Sequence, residues 1–237
     1  MPSDAQEMPL ISCLCITKNR PLLLQRAITC FERQVYPKKE LVISYPEGDL
    51  LTKRVIDQVI FISDIKILAI ERPKNENLGA SRNHAIMAAS GEFICIWDDD
   101  DWYSNHRISA QYEAIRDSEF KACIYTNIVI YHFKDQKSCI SDFRLWEGTL
   151  LCAKEILPEH PYLEKENGEA ETILKALSAS GKLFPIVNDP YLYVYIFHGL
   201  NILETHQLDI HFKNNASLEE SVNQNIIELT SLDNYLL

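Results

Sequence analysis

The first hundred residues alternate between short apolar runs and longer segments with helical spacing. Because the runs are apolar at nearly every position, and not at every second one, they predict strands buried on both faces. The segments between them carry apolar residues three and four positions apart, Pro21 suits the first turn of a helix, and Gly91 suits a helix end. Together they predict a parallel sheet with helices on both faces. The predicted strands are 10–16, 40–45, 66–71 and 92–97, and the predicted helices are 21–34, 51–62 and 78–90.

The second half of the chain has a different pattern. Residues 121–133 are strongly β-prone, and 138–146 are able to pair with them. We expect this mixed region to continue the same sheet, with a helical tail after Ser217 that has Glu219 and Glu220 near its start. The other predicted elements are helices at 105–117 and 167–181 and strands at 183–187 and 191–197.

Composition excludes several classes of protein. The formal net charge is −11, so the basic surface that a nucleic-acid-binding protein needs is missing. No apolar run reaches the roughly 18 residues of a membrane span, and the N-terminus lacks the basic and apolar regions of a secretory signal. The seven cysteines are odd in number and include no C-x-x-C, which predicts reduced, buried thiols in a cytoplasmic protein.

Residues 98–101 are four consecutive aspartates at the end of the fourth predicted strand. Two carboxylates about 4 Å apart repel by roughly 4 kcal/mol at an effective dielectric of 20, so the run needs a turn or a cation to offset the repulsion. In an extended chain, Asp98 and Asp100 face one side, which leaves Asp99 and Asp101 in supporting or solvated roles. Carboxylate oxygens suit Mg²⁺ or Mn²⁺, and ligands of parallel sheets bind beyond the carboxyl ends of the strands. The alternative is a solvated acidic turn.

Three motifs follow one another in a fixed order: TKNRP, NLGASRNHAI and ASGEFICIWDDDDWY. The chain has no G-x-x-x-x-G-K-[ST] and no G-x-G-x-x-G, so a phosphate would be held by metal and side chains. In this order the motifs resemble the family 2 glycosyltransferases of the GT-A fold, well over residues 9–115 and more weakly to about 200. The resemblance implies an α/β fold with a mixed, mainly parallel central sheet flanked by helices, and a C-terminal helix.

The resemblance also implies a nucleotide-sugar donor held through a divalent cation, Mn²⁺ or Mg²⁺. Asp100 and Asp98 would ligate the metal, with Asp98 near the ribose and Asp101 as an alternative ligand. His198, within YIFHGLN, matches a segment near the diphosphate that sometimes supplies a third ligand, although a lone His at a strand end is usually structural. The residues that would line the nucleotide pocket are Thr17, Arg20, Arg82, Asn83, Asp98 and Asp99.

Some of these positions have a structural alternative or depart from the family pattern. For Arg82 and Asn83, the alternative to lining the nucleotide pocket is a structural role, in helix capping and in a hydrogen bond to the acidic loop. The aspartate that reads the base is replaced, since Tyr45 and Pro46 stand where the family has acids, and the nearest acids are Glu47 and Asp49. Uridine is the default base.

The catalytic base is the second departure. An inverting transferase needs a carboxylate that takes the proton of the acceptor hydroxyl. The family commonly uses the aspartate of an E-D pair at a helix start, but here Ala170 occupies that position, so Glu169 or Glu171 is the candidate. The alternative is that both are ordinary acids of a first helical turn. The segment at 146–150 (WEGTL) resembles the acceptor-facing part of the family.

The sequence therefore predicts an inverting glycosyltransferase with a UDP-sugar as the expected donor and a carbohydrate or lipid-linked acceptor. Peripheral association with a membrane is compatible with such an acceptor. We expect one domain over 1–212, with a nucleotide-sugar half at 9–103 and an acceptor half at 104–212, and a helical tail at 213–237. A sugar nucleotidyltransferase and a nucleotide-sugar-binding subunit without a base are the alternatives.

Overall fold

The computed structural model describes residues 8–199, 201 and 205–230, with only the backbone for 205–209. The predictions for the first seven residues and for the tail beyond residue 230 lie outside this range. Among the described residues, no helix combines the length and the apolar character that a membrane crossing requires.

Eleven strands and seven α-helices are found in the described part of the chain. The strands are β1 Ile11–Ile16, β2 Lys39–Pro46, β3 Ile67–Arg72, β4 Phe93–Ile96, β5 Trp102–Tyr103, β6 Ala122–Tyr125, β7 Val129–His132, β8 Lys137–Ile140, β9 Leu151–Ala153, β10 Leu183–Ile186 and β11 Tyr193–Phe197. The helices are α1 Pro21–Glu32, α2 Leu50–Ile62, α3 Leu78–Ala88, α4 Arg107–Glu113, α5 Glu171–Ala179, α6 Thr205–Asn214 and α7 Glu220–Thr230.

The main sheet has seven strands in the order β10-β6-β9-β4-β1-β2-β3. β1 pairs in parallel with β2 and β4, and β3 pairs in parallel with β2, which confirms the parallel sheet predicted for the first half. Cys13 and Cys15 of β1 pack on one face with α1 and α2, whereas Leu14 packs on the other face with α3 and α5. All seven cysteines are buried free thiols.

The second half does not simply continue this sheet. The β-prone segment 121–133 divides into β6 in the main sheet and β7 in a second, four-stranded sheet with the order β5-β11-β7-β8. The division falls at Thr126 and Asn127, whose side chains bond to the backbone oxygens of Ile186 and Ser141, so the chain changes partners between the two strands. β7 and β8 pair with each other, as the sequence predicts, and their pairing is antiparallel.

Two predicted helix ends are wrong. α3 stops at Ala88, and Gly91 is not its cap. A Cβ at Gly91 would lie 2.5 Å from Ser12 Oγ, so glycine is needed there because the chain passes close to β1. α5 begins at Glu171 and not at 167, because Gly168 takes a positive φ of 66° and turns the chain immediately before the helix.

The C-terminal helix covers the second sheet. Ile226 of α7 packs against Val129, Tyr131 and Ile196. Asn223 accepts a hydrogen bond of 2.8 Å from the backbone N–H of Ser138 at the edge of that sheet. The helix predicted after Ser217 is therefore present, and the boundary predicted at 212/213 falls inside α6, a helix that the sequence pattern did not predict.

Candidate active site

A cavity of about 380 Å³ opens at the carboxyl ends of β1 and β4. One wall is formed by the four aspartates that follow β4, together with Arg20 and Arg82. The opposite wall comes from the second half of the chain, through segments 144–148 and 167–169 and through Tyr195 of β11. The cavity thus lies where ligands of parallel α/β sheets bind.

The four aspartates form a turn, and arginine side chains offset part of their negative charge. Arg20 donates through Nη1 to Asp99 Oδ1 at 3.1 Å and to Asp100 Oδ2 at 3.0 Å. Arg82 Nη2 lies 3.3 Å from Asp98 Oδ1. The repulsion is therefore offset by the turn and by guanidinium groups together. The segment is a turn and not extended, so that part of the prediction is wrong, but burial alternates as predicted: Asp98 and Asp100 are half-buried, whereas Asp99 and Asp101 are buried.

Asp99 and Asp101 are buried, so of the two roles predicted for them, supporting or solvated, the structure favours the supporting one. Asp99 accepts a hydrogen bond of 2.6 Å from Thr17 Oγ1, which ties the end of β1 to the aspartate turn. Burial, followed by the charge of Asp100, raises the pKa of Asp99 to about 7. Asp101 accepts hydrogen bonds from Tyr193 Oη and from the backbone N–H of Ile196, and burial raises its pKa well above the usual value. These two carboxyls anchor the turn to the two sheets.

Arg82 connects the aspartate turn to the predicted base region. Its Nη1 donates to Glu169 Oε1, and both side chains are buried. Burial alone would lower the Arg82 pKa, but the charges of Asp98 and Glu169 outweigh it and raise that pKa. The Tyr162 ring lies 5.4 Å from the guanidinium carbon. Arg82 is thus placed to hold two carboxylates of the cavity in fixed positions.

Asn83 and Glu171 are not brought into this cavity. The Asn83 side chain exchanges two hydrogen bonds of 2.9 Å with the backbone of Tyr162, which is a structural contact. Glu171 is exposed at the start of α5, where its carboxylate pairs with Lys175 at 2.5 Å and lies 3.8 Å from Lys165. Of the two predicted base candidates, only Glu169 reaches the cavity.

The predicted metal ligands come together in part. His198 Nε2 lies 3.3 Å from Asp100 Oδ2, and the backbone N–H of His198 donates to Asn201 Oδ1 at 2.9 Å. Burial raises the Asp100 pKa, but His198 and the nearby arginines outweigh it, so the pKa is lowered and the carboxylate stays charged. No group of three or more His, Cys, Asp or Glu residues suited to a metal is found in the described ranges. A cation at Asp98, Asp100 and His198 fits only if diphosphate oxygens or water complete its coordination, which is usual for Mg²⁺.

Two arginines that the sequence did not single out lie at or behind the wall from the second half: Arg144 lines the cavity, and Arg107 supports the backbone of the wall. Arg107 is fully buried, and its Nη2 donates to the backbone oxygens of Ile96 at 2.9 Å and Gly148 at 3.2 Å. Arg144 lies 4.7 Å over the Trp146 ring at the cavity edge. Neither arginine is marked by a motif, and only the WEGTL resemblance pointed to this segment.

A model of the family described as "Glycosyl transferase family 2" matches residues 12–159, and these residues contain the aspartate turn and most of the cavity wall. The chain belongs to glycosyl transferase family 2. This confirms the family that the ordered motifs predicted.

Two curated relatives of this family 2 chain each match less than half of its length. The WcaA protein of Escherichia coli strain K12, assigned as a colanic acid biosynthesis glycosyl transferase, is 37% identical over 101 residues, which are 43% of this chain and 36% of that protein. The GalNAc(5)-diNAcBac-PP-undecaprenol beta-1,3-glucosyltransferase of Campylobacter jejuni is 29% identical over 94 residues, which are 40% of this chain and 30% of that protein. The matches span about a third of the length of these relatives.

Solved structures share the GT-A fold with this family 2 chain. The mannosyltransferase PcManGT of Pyrobaculum calidifontis, in complex with GDP-Man and Mn²⁺, has a TM-score of 0.67 at 14% identity, covering 87% of this chain and 61% of that one. TarS of S. aureus, residues 1–349, in complex with UDP-GlcNAc, has a TM-score of 0.65 at 14% identity, covering 93% and 71%. These similarities confirm the predicted mixed α/β fold with a mainly parallel central sheet.

Proposed function

We propose that this chain transfers a sugar from a nucleotide-sugar donor to a carbohydrate or lipid-linked saccharide acceptor, with inversion at the anomeric carbon. The observation that carries the proposal is the aspartate turn itself. Three of the four carboxyls at the end of β4 are held by Thr17, Arg20 and Arg82 at the rim of one cavity, and the fourth, that of Asp101, is held by β11. Such an arrangement supplies charge and hydrogen bonds for a polar, anionic ligand together with a cation.

The donor half of the cavity would take the nucleoside diphosphate. Thr17 and Asp99 are buried and form a hydrogen-bonded set with the half-buried Arg20 at the end of β1, where the nucleoside is expected. Asp49 caps α2 and accepts a hydrogen bond of 2.6 Å from the backbone N–H of Asn19, so this acid lies beside the TKNRP segment. A UDP-sugar is the expected donor. GDP-Man and UDP-GlcNAc are the donors bound in the two similar structures.

The residues that would hold a divalent cation are Asp100, Asp98 and His198. When bound, Mn²⁺ or Mg²⁺ would stabilise the negative charge that develops on the leaving diphosphate. The chain contributes the charged Asp100 carboxylate, which is kept ionised by His198 and Arg20. It also contributes the partly exposed Asp98, whose side chain keeps 32% of its surface accessible beside the cavity.

The opposite wall would receive the acceptor. Trp146 is buried and fixed by a hydrogen bond of 3.1 Å from its Nε1 to Ser141 Oγ, and Arg144 stacks on it. Aromatic and guanidinium surfaces of this kind suit a saccharide, which offers both apolar faces and hydroxyl groups. The name of the C. jejuni relative includes an undecaprenyl-linked saccharide, which supports a lipid-linked acceptor for this chain as well.

The proposal is tested by donor turnover. UDP-GlcNAc, UDP-glucose, UDP-galactose and GDP-mannose are each incubated with Mn²⁺ and a set of alkyl glycosides, and release of the nucleoside diphosphate is measured. We expect one donor to be consumed, with a loss of at least about 100-fold for Asp100→Asn. Glu171→Gln, which changes an exposed carboxylate outside the cavity, serves as the control and should match the wild type.

A second candidate function rests on Ala170. This residue is fully buried at the N-cap of α5, where the family commonly has its catalytic aspartate. A chain that binds UDP with Mn²⁺ but consumes none of the donors would be a nucleotide-sugar-binding subunit and would contradict the transferase proposal.

A further inference from the structure

Glu147 places a further acidic side chain at the cavity, beside the four aspartates and Glu169. It opens a short 3₁₀ turn, Glu147–Thr149, that follows Trp146 and lines the cavity. The next residue is Gly148, where a Cβ would lie 2.6 Å from Asp98 Oδ2 and 2.9 Å from Tyr193 Oη. The backbone of this turn is therefore in contact with the aspartate turn, and Glu147 lies beside the proposed diphosphate site.

Hydrogen bonds from neighbouring segments fix the backbone of the 3₁₀ turn. Arg107 Nη2 donates to the Gly148 oxygen at 3.2 Å, and Gln111 Nε2 donates to the Thr149 oxygen at 2.6 Å. Thr149 Oγ1 donates to the Trp146 oxygen at 2.6 Å and accepts from the Tyr125 backbone N–H. The backbone that carries the Glu147 side chain is therefore fixed at the cavity, and proton transfer between reacting groups requires such positioning.

The residues at the predicted base position, 169–171, are less suited than Glu147 to accept a proton. Glu169 is buried in an ion pair with Arg82, and accepting a proton would remove a counter-charge from a buried guanidinium. Glu171 is exposed and pairs with Lys175, and Ala170 has no proton-accepting group. Glu147 is half-buried, and none of the hydrogen bonds or ion pairs found for the described residues engages its carboxylate with a cation.

We propose that Glu147 is the catalytic base, an assignment that rests on the proposed transferase function. The acceptor hydroxyl oxygen forms a bond to the anomeric carbon while the bond from that carbon to the diphosphate oxygen breaks. The electron pair of the broken bond leaves with the nucleoside diphosphate, and the hydroxyl proton passes to the Glu147 carboxylate. Glu169 is then a positioning residue that holds Arg82 and, through it, Asp98.

The electrostatic environment of Glu147 supports this role. Burial raises its pKa, and the charges of Glu169 and Asp98 raise it further, against Arg82 and Arg144, which lower it. A carboxylate with a raised pKa is a stronger base at neutral pH than an ordinary surface glutamate.

The test separates proton removal from donor binding. Glu147→Gln keeps the size and polarity of the side chain but cannot accept the proton. We expect transfer to a hydroxyl acceptor to fall by about 100- to 10,000-fold. UDP binding in the presence of Mn²⁺, measured by thermal shift, should stay as in the wild type. Azide needs no deprotonation, so formation of the glycosyl azide from the same donor should be retained in Glu147→Gln.

Each outcome decides between the assignments. If Glu147→Gln transfers to hydroxyl acceptors as well as the wild type, the assignment is wrong, and it is equally wrong if the variant loses UDP binding and azide transfer together. The base would instead be Glu169 if Glu169→Gln lost transfer to hydroxyl acceptors and kept azide transfer, while Glu147→Gln did not show this pattern. A wild type that consumes no donor with either nucleophile overturns the transferase function itself.

Discussion

At the scale of single residues, the site is organised by arginines that each hold two acidic groups. Arg20 joins Asp99 to Asp100, and Arg82 joins Asp98 to Glu169. Because buried carboxylates and guanidiniums are costly unless paired, removing one member leaves a charge without its partner. The same pairs that stabilise the fold therefore fix the positions of the carboxylates that would meet the ligand.

The buried pair of Arg82 and Glu169 gives a direct prediction for stability. Glu169→Ala leaves Arg82 with Asp98 as its remaining counter-charge, and we expect the free energy of unfolding to fall by about 3 kcal/mol. Urea denaturation measures this difference. Glu171→Ala, in an exposed ion pair two residues away, is the matched control and should leave the unfolding midpoint unchanged. Equal midpoints for the two variants would contradict the role given to Glu169.

The residue scale is also where the sequence predicted the site best. The ordered motifs predicted Thr17, Arg20, Arg82 and the four aspartates, and the structure brings all of them together. Glu147 and Arg107 could not be predicted in the same way. Their positions depend on contacts between segments some 40 residues apart, such as the hydrogen bond from Arg107 to Gly148, and no local pattern marks such a contact.

At the scale of elements, α3 and the segment 162–169 form one unit. Gly79 of α3 donates its backbone N–H to the Lys165 oxygen at 3.1 Å. A Cβ at Gly79 would lie 1.7 Å from the Leu163 oxygen, which is a backbone atom and cannot simply rotate away. The close approach of helix and segment therefore fixes the position of Glu169.

Gly79→Ala should separate these two elements. We expect a loss of about 1–3 kcal/mol in the free energy of unfolding, because the added methyl group overpacks the contact. Sugar transfer should fall as well, since the segment that carries Glu169 has to move. Met87→Ala, at a position that is 71% exposed on the same helix, is the control and should change neither quantity. A Gly79→Ala protein with wild-type stability and transfer would show that the contact is not needed.

A buried histidine attaches α6 to the segment that contains Asp142 and Trp146. His211 Nδ1 accepts a hydrogen bond of 3.2 Å from the backbone N–H of Asp142, and its ring lies 5.4 Å from the Trp146 ring. Burial lowers the His211 pKa, and the carboxylate of Asp142 only partly opposes this. The unfolded chain therefore takes up the proton first as the pH falls below about 6.5.

This order of protonation predicts an acid-sensitive contact. The stabilising contribution of neutral His211 is fully present above the unfolded pKa and is lost as the pH falls from about 6.5 towards the lower folded pKa. Melting temperatures at pH 7.5 and 5.5 should thus differ more for the wild type than for His211→Gln, which cannot be protonated. An identical pH dependence in both proteins would rule out this contribution.

The elements themselves were predictable to different degrees. The first four strands follow one another with helices between them, so their parallel pairing follows from local patterns alone. The split of 121–133 into β6 and β7 was not predicted, because β-propensity does not say which strand each half pairs with. The predicted start of α5 lies four residues before the observed one for a similar reason. Gly168 takes a positive φ and turns the chain there, and apolar periodicity does not reveal such a turn.

At the scale of the whole molecule, the two sheets enclose the cavity between them. The ends of β1 and β4 in the main sheet supply Thr17 and the aspartate turn, α3 supplies Arg82, and the second sheet supplies Tyr193 and Tyr195. Asp101 bonds to β11 and so joins the two sheets at the site. A ligand that binds in this cavity would contact both sheets, and it should stabilise the folded chain as a whole.

The central claim is that a nucleoside diphosphate binds together with a divalent cation at the aspartate turn. The most direct measurement is a thermal-shift comparison of UDP and GDP, each with and without Mn²⁺, for the wild type and for Asp100→Asn. We predict that one nucleotide raises the wild-type melting temperature only when Mn²⁺ is present. At a concentration of about 100 times the Kd, the stabilisation would be about 2.7 kcal/mol. The Asp100→Asn protein should lose the Mn²⁺-dependent part. No shift with either nucleotide, with or without Mn²⁺, would contradict the account.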